Sequence, residues 1–226
     1  MKKLTITWFL LPIFVICITL KAASQRNDAA LWTSIQLEKH ITSNWLFHYQ
    51  QAARFNQNIS QLNVTFSDLG ATYMLNKHIK TSLNYRFINK KDVESGNSLR
   101  HRLYWDVILK KKIKPISLIY RHRLQYQLED IYSSDDGEVL HNYSRSKFTV
   151  KYNINKVTPF VATELYVKII DWNQLLGNKY RLIAGLDYDF NKTNELSIFY
   201  LFNKNFNKKN PLTSYIIGIA YSHTFY

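Results

Sequence analysis

Charged side chains recur at every second position along several stretches of this 226-residue chain. Arg100 and Arg102 are two residues apart, and so are Arg121 and Arg123. Residues two apart in a β-strand point to the same face, so each pair shares a face. A face that carries both signs of charge can form a structural network or guide an anion. The residues that we assign to this polar network are Arg86, Arg100, Arg102, Asp106, Arg121, Arg123, Glu164, Arg181 and Asp187.

Serine and histidine form a second set with chemical potential, because a serine activated by a neighbouring base is a hydrolytic nucleophile. The side chains considered are His48, His101, His122, His223, Ser82, Ser117, Ser144 and Ser222. With seven histidines in the chain, such pairings are expected by chance, and no motif links a particular His to a particular Ser. We therefore expect no catalytic residue.

Metal ions and cofactors are not expected either. His122 lies between Arg121 and Arg123, whose charges disfavour a bound metal ion. The acidic segment 135–138 lacks the spacing of a calcium-binding loop. The one cysteine, Cys17, lies within the first 24 residues, so the rest of the chain has no thiol or disulfide chemistry.

The first 24 residues are typical of a secretory signal peptide. Lys2 and Lys3 precede a largely apolar run, and small residues at 22–24 form a cleavage site. We predict a mature domain of residues 25–226 that begins at Gln25. The signal peptide contains three lysines and no acid, so the mature chain has a net charge of +11.

Eleven segments in which apolar and polar residues alternate must position these side chains. The last segment places Tyr215, Ile217 and Ile219 on one face and Gly218 and Ala220 on the other. Strands of about 9–11 such residues can span a membrane when they close into a barrel. The segments are 31–41, 44–55, 66–75, 78–87, 100–110, 116–128, 147–154, 157–168, 180–190, 195–202 and 215–226.

The connections between these segments alternate in length. Short polar turns are expected at 42–43, 76–77, 111–114, 155–156 and 191–193. Longer polar loops are expected at 56–61, 89–98, 130–142, 171–178 and 204–213. Short turns at one end and long loops at the other are typical of outer-membrane barrels, whose short turns lie in the periplasm. The sequence therefore predicts an all-β fold, a single antiparallel up-and-down transmembrane β-barrel of 10–12 strands.

The number of segments leaves the closure of this barrel open. Bacterial single-chain barrels have an even number of strands, whereas the alternation gives eleven. Either segment 31–41 is not part of the wall, which leaves ten strands, or residues near 25–30 form a twelfth.

Residues 31–225 resemble an uncharacterised family of bacterial outer-membrane β-barrels that is classed only as a domain of unknown function. The resemblance rests on Trp32, GATYMLNKHIKTSLNYRF at 70–87, RHRLQYQ at 121–127, PFVATELY at 159–166, residues 180–200 and residues 218–225, in that order. It implies a barrel in the outer membrane of a Gram-negative bacterium and supplies no activity.

We interpret the chain as a small outer-membrane β-barrel protein, structural or transport-related and porin-like, that a cleaved signal peptide exports. Its lumen holds a structural polar network or a narrow, weakly anion-preferring pore. The expected partners are outer-membrane lipid, lipopolysaccharide and, through the C-terminal strand, the barrel-insertion machinery, but not nucleic acid. One alternative is a soluble periplasmic lipocalin-like binding barrel, in which the apolar face would line a cavity. The other is an outer-membrane lipid hydrolase.

Overall fold

The computed structural model describes residues 26–92, 96–129, 139–171, 174–207 and 211–226. The predicted signal peptide and most of the loop predicted at 130–142 lie outside these residues. No helix in the described chain is long and apolar enough to cross a membrane. The strands are β1 (Arg26–His40), β2 (Trp45–Asn56), β3 (Gln61–Met74), β4 (Ile79–Asp92), β5 (Gly96–Ile113), β6 (Ile116–Glu129), β7 (Val139–Tyr152), β8 (Val157–Asp171), β9 (Gln174–Asp189), β10 (Asn194–Asn205) and β11 (Leu212–Phe225).

These strands form one closed barrel with apolar side chains outside and polar side chains inside. On β4, Leu83 and Tyr85 are 56% and 43% exposed, whereas Asn84 and Arg86 are 3% and 8% exposed. A barrel in lipid needs this arrangement, because lipid surrounds the wall and the lumen can be polar. The apolar face therefore points outward, and the lipocalin-like alternative, which needs that face inside, does not fit.

The barrel closes on a parallel pair of strands. β1 and β11 run in the same direction, from Arg26 opposite Leu212 to Lys39 opposite Phe225. The other ten neighbouring pairs are antiparallel. Both predicted closures, with ten or twelve strands, are therefore wrong: the segment predicted at 31–41 belongs to the wall and begins at Arg26. An even number is required only when every pair is antiparallel.

The strands extend beyond the predicted segments and shorten the predicted loops. Backbone pairing between β4 and β5 continues through Lys90 opposite Ser98 to Asp92 opposite Gly96. Most of the loop predicted at 89–98 is therefore strand. Alternation marks the part of a strand that has an apolar side, but hydrogen bonding of the backbone continues where both faces are polar.

Aromatic side chains gather on the outer surface towards both ends of the barrel. At the end where β1 joins β2, called the turn end below, the rings of Trp45 and Tyr73 lie 4.9 Å apart. Towards the opposite end, the loop end, the Phe202 ring lies 5.6 Å from that of Tyr215 and 6.0 Å from that of Tyr180. Aromatic girdles of this kind flank the apolar band of outer-membrane barrels.

A small apolar cluster fills the inside of the wall beside the parallel pair. It is built on Ile216 of β11, which is 2% exposed, and on Leu201 of β10. Phe199 packs against this cluster and lies opposite Gly218 of β11. A Cβ atom at Gly218 would overlap the Phe199 ring, so the glycine lets this ring lie flat against the wall. The charged side chains consequently occupy the remaining part of the lumen.

Candidate functional site

The lumen contains a cavity of about 730 Å³ whose lining is strongly cationic. Two acids line it, Glu38 and Asp106, and two more, Asp68 and Glu164, contact its cations from the wall. Positive charges exceed negative ones even when all four acids are counted. The cationic side chains that line the cavity are Arg54, Lys80, Arg86, Arg102, Arg121, Arg123, Arg145, Lys179 and Arg181.

The register between strands brings two of the acids directly opposite arginines. Asp106 of β5 faces Arg123 of β6, and the Arg123 guanidinium donates from Nε to Oδ1 at 2.6 Å and from Nη2 to Oδ2 at 2.7 Å. Asp68 of β3 faces Arg86 of β4 and accepts a hydrogen bond from Nε of that arginine. The Tyr104 hydroxyl also donates to Asp68, at 2.7 Å. Charge-assisted hydrogen bonds such as these are the strong ones in proteins.

The carboxylate of Glu164 on β8 accepts hydrogen bonds from three arginines. Its Oε1 accepts from Arg121 at 2.7 Å and from Arg145 at 2.8 Å, and its Oε2 accepts from Arg181 at 3.4 Å. A carboxylate has about four acceptor positions, so this geometry is within its capacity. One negative charge nevertheless stands against three positive ones, and Lys147 lies directly opposite Glu164 on β7.

Guanidinium groups and aromatic rings contact one another around the lumen. The guanidinium carbon of Arg54 lies 3.9 Å from the centre of the Trp32 ring and 5.0 Å from that of Phe66. Arg86 covers Phe66 at 3.9 Å and lies 5.6 Å from the centre of the Tyr104 ring. Stacking of this kind is attractive because the face of an aromatic ring is electron-rich.

The same arrangement continues on the other side of the barrel. Tyr166 lies between two arginines, with Arg145 at 4.2 Å and Arg181 at 4.7 Å from the ring centre. Arg181 is also 5.1 Å from the centre of the Trp32 ring, so it connects β9 to β1 on the lumenal side.

Arg123 completes this arrangement. Its guanidinium lies 3.7 Å from the centre of the Tyr104 ring, and it faces Arg145, which donates to Gln125 at 3.1 Å. The resulting arginine–aromatic ring takes one residue from each of β1 to β9. It consists of Trp32, Arg54, Phe66, Arg86, Tyr104, Arg123, Arg145, Tyr166 and Arg181.

Most of the residues predicted for the polar network lie in this ring or contact it. Those in the ring, or linked to its arginines directly or through Glu164, are Arg86, Asp106, Arg121, Arg123, Glu164 and Arg181. Two others lie elsewhere. Arg100 donates to Ser98 at 3.2 Å, nearer the loop end, and Asp187 pairs with Lys151 at 2.5 Å, nearer the turn end.

Arg102, the ninth predicted residue, shows where arginines meet across strands. Its neighbour on β6 is not an arginine, because Arg102 lies opposite Gln127 and donates to its amide oxygen. The like charges meet across other strand pairs. Arg102 faces Arg86 of β4, and Arg123 faces Arg145 of β7.

The alternation pattern missed several members of the ring. Arg54 lies on the predicted polar face of its segment, yet no acid neighbours it in the sequence. Arg145 precedes the segment predicted at 147–154, because the residues around it do not alternate. Tyr104 and Tyr166 were missed because alternation treats tyrosine as apolar. The available signal was that Tyr104 lies two residues from both Arg102 and Asp106, and therefore on their face.

The histidines considered for hydrolysis have other partners. His122 lies 3.2 Å from the Ser146 hydroxyl, and His101 lies 2.6 Å from the Tyr85 hydroxyl. In the described chain, none of the predicted Ser–His combinations has a hydrogen bond between its members. The described part of the chain also contains no group of three or more His, Cys, Asp or Glu side chains that could hold a metal ion.

Solved outer-membrane barrels share this fold. The NanC porin is 14% identical with a TM-score of 0.50, and the match covers 82% of this chain and 93% of that one. The β domain of the Bordetella autotransporter BrkA is 10% identical, also with a TM-score of 0.50, over 78% of this chain and 82% of that one. At these identities the likeness shows the fold alone, and no curated protein sequence matches the chain.

Residues 29–213 match the family described as "Protein of unknown function (DUF2490)". The match spans nine of the eleven strands in full, β2 to β10, together with most of β1 and the first two residues of β11. The chain therefore belongs to the DUF2490 family and has the β-barrel fold of outer-membrane proteins.

Proposed function

We propose that this protein is a narrow outer-membrane channel whose lumen prefers small anions over cations. The observation that carries the proposal is the cationic lining of the central cavity, in which nine positive side chains stand against two acids. Fixed positive charge in a confined space raises the local concentration of anions and repels cations.

Unpaired cations favour a channel over a purely structural network. In the described chain, Arg54, Lys80 and Arg102 have no carboxylate oxygen within 4.0 Å. A network that only filled the barrel would match each cation with an acid, as it does for Arg123, because an enclosed charge without a partner is destabilising. A lumen that retains such charges is suited to mobile anions that replace the missing partners.

The turn end of the lumen should limit this preference. Glu38, Asp189 and Glu195 line a second cavity of about 390 Å³ there, together with Lys192. An anion that crosses the barrel must leave the cationic cavity and pass these acids. The expected selectivity is therefore modest.

Reconstitution into planar bilayers tests the proposal. Under a KCl gradient, the reversal potential should have the sign of a chloride-preferring pore. Arg102→Gln should move it towards zero, and Glu195→Gln, which removes one charge of the opposite sign, should move it the other way. The absence of any conductance, or a preference for potassium, would contradict the proposal.

The same proposal includes export by the signal peptide at 1–24 and residence in the outer membrane among lipid and lipopolysaccharide. The outward apolar surface and the aromatic side chains at both ends support it. The barrel-insertion machinery would recognise β11, which ends with Phe225 before the terminal Tyr226. N-terminal sequencing of protein from outer membranes should find a chain that begins near Gln25, whereas an intact Met1 would contradict the export step.

A further inference from the structure

Arg54 is enclosed by aromatic rings and has no acid partner. Its guanidinium contacts Trp32 at 3.9 Å and Phe66 at 5.0 Å, and it lines the cationic cavity. Within the described chain the guanidinium makes no hydrogen bond and no ion pair. Contact with a ring uses the flat face of a guanidinium, so its N–H groups, which lie in the plane, remain available to another ligand.

Arg102 is the second arginine on this side of the cavity without an acid partner. Its Nε donates to the amide oxygen of Gln127 at 2.9 Å, and Nη2 donates to the same oxygen. An amide oxygen carries no net charge, so the positive charge of Arg102 stays uncompensated. Arg102 is also directly opposite Arg86, whose own charge is matched by Asp68.

Arg86 links these two arginines. It covers the same Phe66 ring that Arg54 contacts, and it is the cross-strand neighbour of Arg102. Three guanidinium groups therefore share one part of the lumen with a single carboxylate, that of Asp68. Arg54 is two residues from the loop-end terminus of β2, so this group lies in the loop-end half of the barrel.

The chemistry of these groups defines the ligand that would complete them. Guanidinium groups present a planar fork of N–H donors that matches the paired oxygens of a carboxylate or a phosphate. The surrounding aromatic rings hold the Arg54 fork in one orientation and so reduce the entropy lost on binding. A spherical halide would be attracted by the positive charge, but it has no paired oxygens to accept hydrogen bonds from both arms of the guanidinium fork.

We propose that Arg54 and Arg102 form an anion subsite in the loop-end half of the lumen, for solutes that carry a carboxylate or phosphate group. The subsite rests on the proposed function, because it assigns a chemical class to the anions that pass. Binding at the subsite can be measured without any current, so the two proposals can fail separately.

Titration calorimetry of the detergent-solubilised barrel, with inorganic phosphate in one series and succinate in the other, tests the subsite. Arg54→Gln and Arg102→Gln should each weaken binding at least about tenfold, as expected when a hydrogen-bonded charge partner is lost. Lys80→Gln is the matched control, because it removes one positive charge from the same cavity outside the cluster. It should weaken binding much less.

Equal losses of affinity in all three variants would show that the anion is attracted by the summed positive charge of the lumen rather than by a subsite, and the inference would be wrong. Failure of phosphate and succinate to bind would overturn it too. If Arg54→Gln does not fold, Arg102→Gln still decides, because Arg102 contacts no aromatic ring in the described chain. Binding of phosphate or succinate without any conductance would contradict the proposed channel but not the subsite.

Block of the chloride current adds a second readout. Phosphate added to the bilayer should reduce single-channel conductance in the unmodified protein. The half-blocking concentration should rise about tenfold in Arg102→Gln and much less in Lys80→Gln. Block that is insensitive to Arg102→Gln would place the bound anion elsewhere.

Discussion

Asp106 and Arg123 face each other across β5 and β6 and are joined by two hydrogen bonds, of 2.6 Å and 2.7 Å. The exposed fractions of their side chains are 6% and 8%. The pair Asp187 and Lys151 is as close, at 2.5 Å, but its lysine is 29% exposed. Both members of the Asp106–Arg123 pair are therefore shielded from water, whereas in the Asp187–Lys151 pair only the acid is shielded.

Removing the acid from each pair should have very different effects. Asp106→Asn keeps the shape and leaves the Arg123 charge enclosed, so we expect a loss of about 3–5 kcal/mol in the free energy of unfolding. Asp187→Asn leaves a charge that water can reach, and a loss of at most about 1 kcal/mol is expected. Urea unfolding in lipid vesicles, followed by the heat-modifiable gel shift, measures both. Equal losses would mean that water screens the Arg123 pair as well.

Adjacent residues of β11 test which face contacts lipid. Ile219 is 41% exposed on the outer surface, whereas Ala220 lines the lumen near the acids of the turn end. Ile219→Arg should cost about 2–4 kcal/mol at mid-membrane, because the charge loses its water. Ala220→Arg should cost less, because the lumen is polar and Glu38 is on the same cavity wall. The yield of folded barrel in vesicles compares them, and the reverse order would place the apolar face inside.

Because β1 and β11 are parallel, the start of β1 and the end of β11 should lie on opposite sides of the membrane. Arg26 lies beside Leu212 at the loop end, while Phe225 lies at the turn end. An epitope inserted before Arg26 should be labelled on intact cells, and one inserted at Lys192 only after permeabilisation. Labelling of both from the same side would contradict the parallel pairing. Exchanged results would keep the pairing and invert the barrel.

Side-chain orientation could be predicted from the sequence because lipid and lumen impose opposite chemistry on neighbouring residues. Leu83 and Asn84 differ in this way, and the structure places them on opposite faces. Strand ends could not be predicted, since Lys90 and Ser98 pair through the backbone where neither side has to be apolar. The number of segments was therefore found, while the strand lengths were underestimated.

Closure and the arginine–aromatic ring depend on information that alternation does not contain. Whether β1 pairs with β11 in parallel is decided by which strand edges meet, and the alternation of apolar and polar residues does not encode it. Trp32 and Tyr166 point inward because arginines such as Arg181 cover their rings. An aromatic residue on a face of arginines is a signal for such stacking, but it can be interpreted only when the register is known.

The parallel pair also bears on how barrels of this family could change in width during evolution. Since β2 is antiparallel to β1 and β1 is parallel to β11, β2 and β11 run in opposite directions. Without β1, the remaining ten strands could close as a fully antiparallel barrel with every other strand keeping its direction. Barrel diameter grows with strand number. Gain or loss of β1 alone would therefore change the strand number by one, whereas gain or loss of a hairpin changes it by two. The width of the lumen would change by about half as much, and every turn and loop would stay at its own end of the barrel.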